Sequence, residues 1–127
     1  MNLISIFILM ILCHIVDDFV LQIGCLSNLK QKGWWEKNAP DKMYENDYKM
    51  ALFIHCLEWS IMIHLPILLS HTAILWYMLA ISITINCVIH YIVDDAKANK
   101  RKINLIQDQT IHFVQIIITF IVLIVLK

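Results

Sequence analysis

Four long apolar runs organise the chain, and polar residues interrupt each of them mainly near one end. They cover Met1 to about Gly24, about Met50 to Ser70, about Thr72 to Val93, and about Leu105 to Leu126, with Pro66 in the last turns of the second. A helix rises 1.5 Å per residue, so about 20 residues cross a hydrocarbon core of about 30 Å. The pattern predicts an all-α fold: an antiparallel bundle of four transmembrane helices in two hairpins, over about 3–24, 50–70, 72–95 and 105–126. Residues 1–127 then form a single integral membrane domain. The first run lacks a basic start and a small-residue cleavage site, so it reads as a retained span and not a signal peptide. Residues 25–49 break the pattern with five Lys, four acids, Gly33 and Pro40, and are expected to form a polar loop. Its Trp34-Trp35 pair suits either the headgroup level of a bilayer or a small core within the loop.

Composition sharpens this picture. The hydrophobic share is 60% and the mean hydropathy +0.70, above the 45–50% apolar content usual for soluble domains. Two Gly and two Pro leave little material for a turn-rich β fold. Net charge is zero, which gives no electrostatic case for nucleic acid as a partner. Cys13, Cys25, Cys56 and Cys87 form no C-x-x-C pair, and no disulfide is expected. Nine of the ten Lys and Arg lie in the loops after the first and third runs; only Lys127 lies elsewhere. The excess of cations in cytoplasmic loops therefore places both loops inside and both termini outside a bacterial inner (cytoplasmic) membrane.

The polar residues that remain inside the runs carry the chemistry. His14 and Asp18, and His90 and Asp94, are four residues apart, and Asp108 and His112 repeat the offset in reverse. On a helix each pair shares one face. Counted from the helix ends, all six and His55 fall roughly 5–15 Å from the cytoplasmic boundary. Ionisable residues in a membrane cost about 2.5–3.5 kcal/mol each even on the lenient scale, so they face the bundle interior. Four His and three Asp at one depth supply ligands for one divalent metal with an open position, or for two. Zn²⁺ suits these ligand types best, with Mn²⁺ or Fe²⁺ as alternatives. Two other readings stand beside the metal: a hydrogen-bonded network holding the helices together, and an ion path. Glue ordinarily uses Ser, Thr or Asn at about 0.6–2 kcal/mol per contact, which makes seven ionisable groups an expensive means to that end.

Other residues take lesser places. Glu58, one turn from His55, is a candidate general base. Lys97, three residues after Asp94, is a candidate contact for an anionic headgroup, although a snorkelling Lys is commoner. Gln22 and Gln109 suit the orienting of ligands. Asp17 and Asp95 point about 100° away from the motif carboxylates on an α-helix and read as boundary or capping groups. His64 and His71 fall near the outer face, away from the layer.

The motifs His14-Ile-Val-Asp-Asp18-Phe-Val-Leu-Gln22, His90-Tyr-Ile-Val-Asp94-Asp-Ala-Lys97 and Asp108-Gln109-Thr-Ile-His112, in this order, resemble a family of small bacterial and phage membrane proteins called domain of unknown function 3307. His55 falls where such proteins carry a His in the second helix. That family is distantly similar to metal-dependent membrane hydrolases, which implies hydrolysis by analogy. The expected function is thus a membrane metal-dependent hydrolase at the cytoplasmic leaflet, on a lipid or phosphoester substrate. The alternative is a non-enzymatic phage or bacterial membrane protein that binds a host membrane partner through the 25–49 loop. Homo-oligomerisation is open under either reading.

Overall fold

The computed structural model describes residues 1–22, 25–70 and 75–125. Expectations for 23–24, 71–74 and 126–127, His71 among them, lie outside the described residues. Helix α1 (Leu3–Ile15) starts where the Asn2 side chain accepts a hydrogen bond from the Ser5 backbone N–H, and it passes into a π-helical turn at Val16–Leu21. The polar loop folds into two short helices, α2 (Cys25–Leu29) and α3 (Lys32–Asn38), and a 3₁₀ turn at Lys42–Tyr44. Helices α4 (Asp47–Leu69) and α5 (Trp76–Ala98) have 23 residues each. Helix α6 (Leu105–Phe120) continues into a second π-helical turn, Ile121–Val125. No strand occurs among the described residues, and four helices are long and apolar enough to cross a membrane.

Local signals explain where the last helix begins. The Asn104 side chain accepts from the Gln107 backbone N–H while the Gln107 side chain accepts from the Asn104 N–H, a reciprocal cap that fixes the phase of α6. With that phase set, Asp108, His112, Gln115 and Thr119 fall on one buried face. On α5 the four-residue step Ser82, Asn86, His90, Asp94 places a second polar file inward.

The four long helices form a ring within one chain. Helix α4 packs on α1 and α5, and α6 packs on α5 and α1. One half of the interior is apolar, built from Ile6, Met10, Ile63, Ile67, Ile116 and Leu123, with the Trp59 ring at its inner end. Membrane helices gain little from apolar burial relative to lipid, so this half is held mainly by close packing such as Phe7 on Phe120, whose centroids lie 5.1 Å apart. The other half holds the ionisable residues. Over this end sits the polar loop, in which Trp35 packs on its own neighbours. Its indole N–H donates to the Leu29 carbonyl at 2.7 Å and its ring stacks on Tyr44 at 6.1 Å. Of the two places considered for the Trp pair, Trp35 thus takes the loop's own core. The loop is also tied to α5, because the Lys32 backbone N–H donates to Asn99 Oδ1 at 2.8 Å.

Candidate metal centre

The ring closes on a His/Asp cluster. His14, His55, His90, Asp94, Asp108 and His112 are each no more than 1% exposed, and the Asp18 side chain is 6% exposed. Two overlapping sets present ligand atoms within 4.8 Å of one another: Asp18, His55 and His90, and His90, Asp94 and His112. His55 Nε2 stands 3.1 Å from His90 Nε2 and 3.4 Å from Asp94 Oδ2. Asp94 Oδ1 is 3.7 Å from His90 Nε2 and 3.4 Å from His112 Nε2. Asp108 Oδ1 lies 3.4 Å from His112 Nε2 on its other side. Bonds of about 2.0–2.1 Å to one tetrahedral ion put neighbouring ligand atoms about 3.3 Å apart. The observed separations scatter around that value. An imidazole nitrogen has one lone pair, so sharing His90 Nε2 between the sets fits one ion and not two.

The surrounding hydrogen bonds set the tautomers. Gln115 Nε2 donates to the carbonyl and to Oδ1 of Asn86, both at 3.2 Å, which leaves Gln115 Oε1 to accept from His112 Nδ1–H at 3.1 Å. Neutral His112 then presents the Nε2 lone pair to Asp94 Oδ1 and Asp108 Oδ1. None of these three buried atoms has a hydrogen-bond partner in the protein. A lone pair facing two carboxylate oxygens is repulsive unless a cation or a proton lies among them. Likewise, Gln22 Nε2 donates to His55 Nε2 at 3.1 Å, which puts the His55 proton on Nδ1, 3.8 Å from Asp17 Oδ2. His90 is sandwiched between the Trp59 ring at 4.3 Å and the His112 ring at 4.0 Å, which limits its rotation.

His14 is placed differently from the other three imidazoles. Its Nδ1 accepts from the Trp59 indole N–H at 2.8 Å and its Nε2–H donates to Gln109 Oε1 at 3.1 Å. Both ring nitrogens are engaged, and His14 belongs to neither ligand set. Through Gln109, whose amide nitrogen donates to Asp18 Oδ2 at 2.8 Å and Asp108 Oδ2 at 3.1 Å, His14 orients two carboxylates. Gln22 does the same for Asp18 Oδ1 at 2.8 Å.

Two ammonium groups complete the electrostatics. Lys97 Nζ lies 2.5 Å from Asp108 Oδ2, and Lys30 Nζ lies 2.7 Å from Asp94 Oδ2. Counted with every carboxylate ionised and every imidazole neutral, Asp17, Asp18, Asp94 and Asp108 against Lys30 and Lys97 come to −2, a charge that one divalent cation would offset. Glu58 is half-buried, near enough to Asp17 for their charges to repel, and stands outside the hydrogen bonds of the cluster.

Two features depart from the reading of the sequence, and a third adds to it. Asp17 is no boundary group: it is 1% exposed and faces His55. The cause is the π-helical turn at Val16–Leu21, whose wider i→i+5 geometry turns neighbouring carboxylates inward together; such turns recur at functional sites. Asp95, its counterpart on the regular helix α5, stays outside the cluster, paired with Lys100 at 2.6 Å. Lys30 carried no signal at all, because only the docking of α2 on the bundle brings it to Asp94. His64 is fully buried, and its Nε2 accepts from Ser82 Oγ at 2.8 Å, in a polar file that Asn86 and Gln115 connect to His112. The steps Ser60–His64 and Ser82–Asn86–His90 are the pattern that marks it.

No curated protein and no solved structure matches this chain. The family model described as protein of unknown function (DUF3307) matches residues 6–127, nearly the whole length, and the chain belongs to that family.

Proposed function

We propose that the protein is a multi-pass inner-membrane enzyme that holds one divalent cation, Zn²⁺ by ligand type, and hydrolyses an ester of a membrane lipid. The observation that carries the reading is that His112 Nε2 lies 3.4 Å from Asp94 Oδ1 and 3.4 Å from Asp108 Oδ1, all three atoms buried and without a hydrogen-bond partner. His90 completes the donor set, and His55 joins it where the ion displaces the Gln22 amide from its Nε2. Mn²⁺ or Fe²⁺ remains compatible with its carboxylates. Such an ion, when bound, lowers the pKa of a coordinated water toward 7.

The chain's own residues supply the rest. Gln22 and Gln115 hold the His55 and His112 tautomers, and Gln109 and Gln22 aim the carboxylates. Lys97, 26% exposed at its side chain, is positioned to meet an anionic substrate group. Glu58, half-buried and one turn along α4 from His55, is the candidate for taking the water's proton. In the hydrolysis the water oxygen bonds to the acyl or phosphoryl centre, the ester oxygen leaves, and the proton passes to that leaving oxygen. The orientation with both basic loops cytoplasmic and both termini outside follows from the Lys/Arg asymmetry, and sets the site at the cytoplasmic leaflet.

One observation favours the second reading, a metal-free polar core in a protein that binds a membrane partner. Lys30 and Lys97 already give one oxygen each of Asp94 and Asp108 an ion-pair partner. Metal analysis of the purified protein separates the two: stoichiometric Zn, Mn or Fe supports the enzyme, and a folded, metal-free protein refutes it.

A further inference from the structure

Helices α5 and α6 part along their apolar half and leave a groove of about 290 Å³. Its floor is Ser82, Asn86, Gln115 and Thr119, and its rim includes Ile85 and Ile118, which are 53% and 56% exposed. The floor's amides already have partners: Asn86 donates to Thr119 Oγ1 at 2.8 Å and Gln115 donates to Asn86. The groove therefore asks no hydrogen bond of its occupant and accepts hydrocarbon. From Met78 to Ile89 it follows α5 for about 16 Å, close to half of a ~30 Å hydrocarbon core, the depth of one leaflet's acyl chains. At its inner end Gln115 touches His112.

Beyond that end the same seam becomes cationic. Lys97 bridges α5 to α6, and the connecting turn presents Arg101 and Lys102 as exposed residues beside Lys100, which is paired with Asp95. Clusters of this kind beside a membrane helix attract anionic lipid headgroups. Lys97 lies three residues past Asp94, about 4.5 Å along the helix. A phosphate at Lys97 thus sets the adjoining ester linkages at the depth of Asp94 and His112.

We propose that the α5–α6 seam is the binding site for one anionic phospholipid, its acyl chain in the groove and its phosphate at Lys97 and the Lys100–Lys102 turn. Its role as substrate rests on the hydrolytic reading of the cluster; its binding does not.

Native mass spectrometry of the detergent-solubilised protein tests it, with phosphatidylglycerol, phosphatidylcholine and inorganic phosphate as probes. The wild type is expected to retain one phosphatidylglycerol in at least tenfold preference to phosphatidylcholine. Ile85→Trp and Ile118→Trp, which fill the groove from its exposed rim, are expected to reduce that adduct at least tenfold with metal content unchanged. Arg101→Gln with Lys102→Gln, a surface change that spares the packing, is expected to remove the headgroup preference while an adduct persists. Equal retention in the groove-filled variants, no preference in the wild type, or displacement of the lipid by equimolar inorganic phosphate would each overturn the proposal. Loss of metal with the lipid adduct intact would count against the hydrolase and leave this site standing.

Discussion

Gln115→Leu removes a side chain that offers no metal-binding atom itself, yet it is expected to weaken metal binding. Gln115 Oε1 is the acceptor for His112 Nδ1–H at 3.1 Å, and Gln115 is itself 6% exposed, so no solvent replaces it. Without that acceptor the ring is free to carry its proton on Nε2, where Asp94 and Asp108 receive it. Binding an ion must then return the proton to Nδ1 and leave that N–H buried and unpaired, at about 1–3 kcal/mol. This corresponds to roughly 5–150-fold in affinity, in line with the 10–100-fold usual for groups that orient metal ligands. Competition against a chromogenic Zn²⁺ chelator in detergent measures it. The expected result is a Kd raised roughly 10–100-fold with stoichiometry unchanged at saturation and helicity intact by circular dichroism. A Kd within about twofold of wild type would refute the tautomer argument.

Other consequences separate the members of the cluster. His14→Phe is expected to keep full metal stoichiometry, since both His14 nitrogens are occupied by Trp59 and Gln109; the variant should melt lower, by about 1–3 kcal/mol for the orphaned partners. Metal loss in that variant would return His14 to the ligands. Lys30→Met leaves Asp94 Oδ2 without its 2.7 Å partner and is expected to destabilise by about 3–5 kcal/mol. Added Zn²⁺ should raise the variant's melting temperature more than the wild type's, and an equal rise would contradict the charge argument. A membrane-impermeant thiol reagent applied from outside, on a background without the native cysteines, is expected to label Leu75→Cys and miss Ser27→Cys; the reverse pattern would invert the orientation.

How much of this was written in the chain depends on the type of geometry involved. Helical periodicity alone aligns His90 with Asp94 and Asp108 with His112, and hydropathy alone sets their depth, so the convergence of three spans on one layer was legible. The π-helical turn was not, because nothing in Val16–Leu21 distinguishes an i→i+5 turn from a regular one, and with it went the inward placement of Asp17. Lys30 was hidden for another reason: its partner is 64 positions away and is reached only after α2 docks on the bundle. His14 matched the ligand motif as well as His90 does, yet the distance to Trp59 across the α1–α4 contact decides its role. The Ser82–Asn86–Thr119–Gln115 file obeys helical spacing and was readable in principle; its residues are of the neutral kind that also serve as interhelical glue.

The central claim is that Asp94 holds a metal ion and not merely a hydrogen-bond network. Asp94→Asn keeps the size and the hydrogen-bonding capacity of the side chain but removes its charge, and Asp95→Asn is the matched control outside the cluster, one residue along α5. Elemental analysis of the purified proteins is the direct measurement. The account predicts near-stoichiometric divalent metal in the wild type and in Asp95→Asn, and its collapse in Asp94→Asn with the helices still inserted. Equal metal in both variants would contradict ligation by Asp94, and a wild-type protein that is folded but metal-free would contradict the account as a whole.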